Sequence, residues 1–326
     1  MIANILNFAA ISALVSLTIA LVLILSQQPR VLPDKGGLDF TAQLDGPAVP
    51  PLERSVYTAR DGANLSVLHM PSGQKTAPLL ILVHGSGWHG QQFDGLASSL
   101  AKAADILVPD LRGHGVNPIR RGDVDYIGQL EDDLADLIAT YRQDGQKVIL
   151  AGHSSGGGLV VRFAGGANGA MIDGAVLLAP FLKHNAPTTR QNSGGWAHVL
   201  TRRLIGLSML NTVRIRALNH LVVIQFSMPK AVLDGPLGHT ATLAYSYRMN
   251  RSYAPRGAYL KDIAALPEFM LIAGTDDEAF FAEEYEPLMQ GVTDKGSYHL
   301  VDGSGHLAIV NRPETQTLIK QFLEQF

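Results

Sequence analysis

Cysteine is absent from this 326-residue chain. That excludes a disulfide framework, a thiolate nucleophile and a cysteine-based zinc site, and leaves the redox compartment unread. Charge is also scarce. Asp, Glu, Lys and Arg make up 17% of the residues and the net charge is -3, so no basic surplus exists to drive nucleic-acid binding. No internal repeat and no low-complexity tract occurs. What is abundant is apolar: 46% of the residues, enough for a sizeable core and too much for a disordered chain. The length suits one large domain or two small ones.

One long hydrophobic run opens the chain. Phe8 to Leu25 carries no charge, and as a helix it would extend about 27 Å, close to the hydrocarbon core of a bilayer. Ile2 and Ile5 extend it by a turn. A cleaved signal peptide is the competing reading. Against it, no Lys or Arg precedes the run, the run exceeds the usual length of a signal peptide's hydrophobic region, and Ser26-Gln27-Gln28-Pro29 is a poor cleavage site. Residues 1–26 are therefore expected to be a single-pass N-terminal transmembrane anchor. Arg30 and Lys35 follow it, which weakly places the rest of the chain in the cytoplasm and leaves the opposite orientation open. Residues 27–51, rich in Pro, Gly and Asp without periodicity, read as a linker lifting a folded domain, 52–326, off the membrane.

Within that domain Ser55–Arg60 and Leu65–Met70 flank Asp61-Gly62-Ala63-Asn64 and predict a hairpin. Leu79–Val83, Ile106–Val108, Val148–Ala151, Ala175–Leu178 and Phe269–Ile272 are short continuous apolar runs, the mark of strands buried on both faces. Helical patterns lie between them at Phe93–Ala104, Gln129–Tyr141 and Gly158–Phe163. This alternation predicts an α/β fold, a mostly parallel central sheet flanked by helices, with ligands bound beyond the carboxyl ends of the strands.

At one such end stands Gly152-His153-Ser154-Ser155-Gly156, a G-x-S-x-G pattern between strand and helix. Such a turn strains the serine backbone and pushes its hydroxyl outward, and Gly152 and Gly156 sit where side chains would collide. A serine hydroxyl cannot ionise near neutrality, so a nucleophilic Ser154 needs a histidine base, a group orienting that base, and donors for an oxyanion. Val83-His84-Gly85-Ser86-Gly87-Trp88 follows another strand. The backbone N–H groups of Ser86 and Ser155 would form the oxyanion hole, with Gly85 or Gly87 as substitutes for Ser86. Asp276, Asp277 and Glu278 end a later strand, and chemistry alone does not choose among three adjacent acids. Their alternative role is a solvated turn capping a helix from Ala279. His306 lies in Asp302-Gly303-Ser304-Gly305-His306 after Tyr298–Val301 and before an amphipathic helix, Pro313–Phe326.

The chain order serine, acid, histidine, with the His84-Gly85 loop, the Gly274-x-x-Asp277 turn and Gly305-His306, resembles the α/β-hydrolase superfamily. Gly152–Gly157 and Asp110-Leu111-Arg112-Gly113-His114-Gly115 are similar to the monoacylglycerol lipase, lysophospholipase and serine aminopeptidase group. The resemblance covers about residues 52 to 326. It implies Ser154 as nucleophile, His306 as base and then acid, and Asp277 as the orienting carboxylate, with Asp276 as alternate. The peptidase branch usually carries tryptophan after the serine, where this chain has Ser155, and that tilts the expectation from peptides toward esters.

Residues 183–261 break the strand–helix rhythm. They hold an apolar, helix-compatible stretch, Val199–Phe226, dotted with Arg202, Arg203, Arg214 and Arg216. By the resemblance this insertion is a helical cap over the pocket, and its apolar and basic character suits anionic lipid. The expected activity is hydrolysis of carboxylic esters of lipid-like acyl substrates. An aminopeptidase or amidase is the enzymatic alternative, and a non-catalytic hydrolase-like binding protein the other. No cofactor is expected. No metal is expected, since the histidines lack paired ligand spacing. Gly85–Gly90 has the G-x-G-x-x-G spacing, but no helix opens inside it, so a dinucleotide is not expected either. Asp110, Arg112 and His114 are expected to brace their loop, His153 to point under the turn, and His84 and His89 to be available as pocket lining.

Overall fold

The structure, a computed structural model, describes residues 1–33, 37–41, 52–116 and 118–326. The hairpin forms as the sequence predicts: β1 (Ser55–Thr58) pairs antiparallel with β2 (Asn64–Met70), turning at Gly62 with φ +83°. The apolar runs become β3 (Leu79–Val83), β4 (Asp105–Pro109), β5 (Val148–His153) and β6 (Gly174–Leu178). Three short strands of the insertion follow: β7 (Ala197–Val199), β8 (Val222–Phe226) and β9 (Ala244–Ser246). Last come β10 (Glu268–Gly274) and β11 (Gly296–Val301). The main sheet has the order β1-β2-β4-β3-β5-β6-β10-β11, parallel from β4 through β11, with β2 running antiparallel to β4.

Every residue of β3, β4, β5 and β6 is buried. Alternate side chains serve opposite faces, as the two-residue repeat of a strand requires. Leu79, Ile81, Val83 and Leu150 join one core, under the helices Gln129–Tyr141 and Ser155–Ala164. Leu80, Leu82, Ile149 and Ala151 join the other, under Asp94–Leu100 and Pro313–Leu323. From β3 the chain steps to β4 on one side, then crosses to β5 on the other. In open sheets of this kind, ligands bind beyond the carboxyl ends of the strands at such a reversal, here the ends of β3 and β5.

The insertion differs from the helical stretch expected over Val199–Phe226. The helix spans Thr201–Thr212 and ends there. Arg214 takes φ +63°, and Val222–Phe226 forms β8, paired antiparallel with β7 and β9. The physical reason is the run Val222-Val223-Ile224, whose branched side chains suit a pleated surface. Partners on both sides of β8 then satisfy its backbone.

The segment read as a linker, residues 27–51, is described in part. Residues 34–36, including Lys35, and 42–51 lie outside the described residues. The described remainder is pinned to the domain. Gln225 Nε2 donates to Arg30 O at 2.7 Å, Asp39 N donates to Glu278 at 2.7 Å, and Phe40 packs beside Trp88 and Trp196. Side-chain amides and aromatic rings in the insertion thus hold a segment whose composition suggests free chain.

The helix Ser155–Ala164 meets the sheet so closely that a Cβ on Gly156 would sit 2.2 Å from Val83 O and 2.5 Å from His84 O. Neither neighbour is a side chain that can swing away. Gly156→Ala is expected to cost about 1–3 kcal/mol of unfolding free energy in urea titrations; unchanged stability would contradict this packing.

Candidate active site

Ser154 sits between β5 and the helix at φ +55° and ψ -121°, a region that non-glycine residues avoid. The strain is imposed from both sides. A Cβ on Gly152 would lie 2.4 Å from Gly156 O, so strand and helix touch through bare backbone, as the glycine spacing predicts. The serine backbone is pinned in this pose: its N–H donates to Leu178 O at 2.9 Å, and its carbonyl accepts from Gly158 N and Phe181 N.

His306 and Asp277 meet at the neighbouring strand ends. His306 Nδ1–H donates to Asp277 Oδ2 at 2.8 Å, and Asp277 Oδ1 accepts from Ala279 N and Phe280 N, each at 2.8 Å. Burial favours the neutral acid, but the His306 imidazole and these N–H groups together hold the Asp277 carboxyl below its ordinary value. Asp276 is exposed, and among the described residues its carboxylate accepts only from the neighbouring Thr275 hydroxyl. Of the two aspartates left open by the sequence, only Asp277 faces the histidine. Because Nδ1 is engaged, Nε2 is the His306 nitrogen left for proton exchange. Among the described residues neither Nε2 nor the Ser154 hydroxyl has a hydrogen-bond partner. His153, next to Ser154 in the chain, has its ring 4.7 Å from that of His306. Asp277 and His306 are each only 2% exposed, and Ser154 8%, so the site is covered.

Of the oxyanion candidates, Gly87 is otherwise occupied, since its N–H donates to Tyr245 Oη at 2.8 Å. The N–H groups of Ser86 and Ser155 have no acceptor among the described residues. Tyr245 comes from β9 in the insertion, and its hydroxyl donates a hydrogen bond to His114 Nε2 at 2.6 Å; His114 Nδ1–H donates to Arg112 O. Trp196, also from the insertion, donates to Ser86 Oγ at 3.2 Å. The insertion therefore holds the loop after β3 in shape.

Two supporting roles lay beyond the sequence reading. Glu278, seen only as one of three adjacent acids, accepts the His306 N–H at 2.7 Å. Gln92 reaches His153 Nδ1 at 3.4 Å, which makes Nε2–H the donor to His306 O at 2.9 Å. Neither residue stands out by spacing or motif. The loop-bracing expectation holds: Asp110 accepts Gly90 N at 2.8 Å, and Arg112 forms a buried pair with Asp133 at 2.7 Å. His84 and His89 do not serve as pocket lining. His84 donates to Gly85 O and accepts from Leu111 N, and His89 accepts from Gln91 N beneath the stacked Trp88.

The comparisons with known proteins agree with this fold. The model of the alpha/beta hydrolase family matches residues 80–317. The chain belongs to that family. An uncharacterized protein of Mycobacterium tuberculosis is 32% identical over 89 residues, 27% of this chain and 25% of that protein, so the chain spans about a quarter of that relative's length. Monoglyceride lipase of Saccharomyces cerevisiae superposes with a TM-score of 0.64 at 18% identity, covering 86% of this chain and 96% of that one. A membrane phospholipase A described as a bacterial virulence factor superposes at 0.56 and 15% identity, covering 99% and 97%. At such identities the likeness concerns the fold.

The buried histidines of this alpha/beta hydrolase predict its acid sensitivity. Burial lowers His84 and His89 to about 4 and His114 and His153 to about 3, against 6.5 in the open chain. Between those values the unfolded chain binds protons that the folded chain refuses, so stability falls as pH drops below about 6.5. Urea titrations at pH 7 and pH 5 should show lower stability at pH 5; equal stability would contradict the neutral, buried state. Tyr245→Phe would strand the Gly87 N–H and His114 Nε2, at a cost of about 1–3 kcal/mol. Unchanged unfolding midpoints would argue against this tie.

Proposed function

We propose that the chain is a serine hydrolase that cleaves carboxylic esters of lipid-like acyl substrates through an acyl-enzyme on Ser154. The observation that carries the proposal is the Asp277–His306 pair, 2.8 Å apart, together with a strand-end serine held at φ +55°. His306 Nε2 takes the proton of the Ser154 hydroxyl as its oxygen attacks the ester carbonyl carbon. Asp277 keeps the Nδ1 proton in place and stabilises the imidazolium. The N–H groups of Ser86 and Ser155 receive the developing oxyanion. Collapse breaks the bond to the alcohol oxygen, which leaves with the His306 proton. Water then attacks the acyl-serine by the same proton path, releasing the carboxylic acid and restoring the hydroxyl.

Several features favour an apolar acyl group. Trp88, Trp196, Phe226 and Tyr245 crowd the loop after β3. The fold is similar to a monoglyceride lipase and a membrane phospholipase A. Residues 1–26 act in this reading as a membrane anchor. Helix Ile2–Leu25 is long and apolar enough to cross a bilayer, and Arg30 beyond it favours a cytoplasmic catalytic domain. Residues 183–261 act as the cap. Amide substrates are the second reading, and Ser155 in place of a tryptophan speaks for esters.

Ser154→Ala should remove fluorophosphonate labelling and lower ester hydrolysis by on the order of 10⁴- to 10⁶-fold, with the fold intact by circular dichroism. Labelling retained at another serine would overturn the assignment. Asp277→Asn should lower kcat by on the order of 10⁴-fold, while Asp276→Asn should leave it near that of the parent chain. A graded series of acyl esters beside aminoacyl amides decides between the two substrate classes.

A further inference from the structure

The N-terminal helix and the insertion meet in a way that sets a depth. Residues 1–19 are all exposed, and Ala20 is the first buried residue. Ile2–Ile19 extends over about 27 Å as a helix, against a hydrocarbon core of about 30 Å, and burial against the domain begins at Ala20.

That contact is specific. Ala20 and Ile24 pack with Leu207, Leu210, Val223 and Tyr247, and Gly206 lets the two helices touch. A Cβ on Gly206 would lie 2.5 Å from Ala20 O and 2.8 Å from Ile24 Cγ1. The buried Arg203 donates to Ile24 O at 3.3 Å, to Val222 O at 3.2 Å and to Gln28 Oε1, and Arg202 N donates to Gln27 Oε1 at 2.8 Å. A guanidinium at the carbonyl end of the helix also complements its dipole.

The surface beside this junction has an unusual composition. From Lys183 to Leu233 there is no Asp or Glu, although the whole chain carries a net charge of -3. Arg202, Arg214 and Arg216 are exposed and have no carboxylate partner among the described residues. Between them stand Ile205, Val213 and Ile215, exposed by 48%, 66% and 42%. Apolar side chains interleaved with arginines that lack a carboxylate partner among the described residues, along and just past the helix packed on Ile2–Leu25, match a headgroup layer of negative charge.

We propose that the face formed by Thr201–Arg216 docks on the headgroup layer of an anionic bilayer, which holds the insertion against the membrane. The proposal rests on the reading of residues 1–26 as a membrane anchor. Absence of cysteine makes the test clean, because one introduced thiol carries one label. The full chain is reconstituted in vesicles of phosphatidylcholine alone and with 30 mol% phosphatidylglycerol, labelled with an NBD fluorophore at Ile215→Cys, Asp144→Cys or Phe8→Cys. Asp144 is exposed in the turn before β5, at the opposite end of the sheet.

Iodide should quench the label at position 215 at least about threefold less than that at 144 in the anionic vesicles. Replacing Arg202, Arg214 and Arg216 with Gln should return position 215 to its behaviour in neutral lipid. Equal quenching at 215 and 144 in anionic vesicles, with position 8 still protected, would overturn the docking and leave the anchor standing. A label at position 8 open to iodide would remove the anchor, and the docking with it. Protection of 215 that persists in detergent and grows with protein concentration would put a second copy on this face and overturn the lipid reading. Ester hydrolysis in detergent, measured on the same samples, reports the Ser154 chemistry separately.

Discussion

The close approach of β5 to the helix after it is the constraint on which the rest depends. With Gly152 and Gly156 the two elements touch backbone to backbone, and the connecting residue can only take positive φ. The cost of that strain is offset by a sheet whose central strands are buried on both faces and cannot shift. Ser154 is thereby placed at the switch point of the sheet, beside the loop after β3 and near the ends of β6 and β10. The hydroxyl is positioned by main chain, and no side-chain contact is needed to hold it.

Around that point, hydrogen-bond commitment separates the histidines. His84 and His114 each use both ring nitrogens on backbone or a tyrosine hydroxyl, and His153 uses one on Gln92 and one on His306 O. Burial keeps all three neutral. They act as rigid connectors. His306 differs in having a carboxylate on Nδ1 and, among the described residues, no partner on Nε2, an asymmetry suited to proton transfer. Its main chain is held as firmly as its ring, by Glu278 at the N–H and His153 at the carbonyl.

The insertion links this site to the N-terminal helix. One side of it supplies Tyr245 and Trp196 to the loop carrying Ser86. Its other elements supply Gly206 and Arg203 to the helix Ile2–Leu25, and Gln225 to the segment behind it. Local sequence patterns read anchor, linker and cap as separate pieces, and packing makes the described parts of them continuous.

Much of this was legible in the chain itself. Continuous apolar runs located β3 to β6 and β10, because strands buried on both faces have no polar side to show. Glycine spacing marked the turn at Ser154, because only bare backbone fits there. Gln129–Tyr141 follows its helical period to the residue. What sequence could not supply was proximity. Asp276 and Asp277 are chemically alike, and only the turn after β10 aims one at His306 and the other at solvent. The second sheet, the grip of Glu278 and Gln92 on two histidines, and the seat of Ala20 on Gly206 all join residues far apart in the chain. Local propensity and periodicity carry no information about such meetings; they are decided when the layers pack.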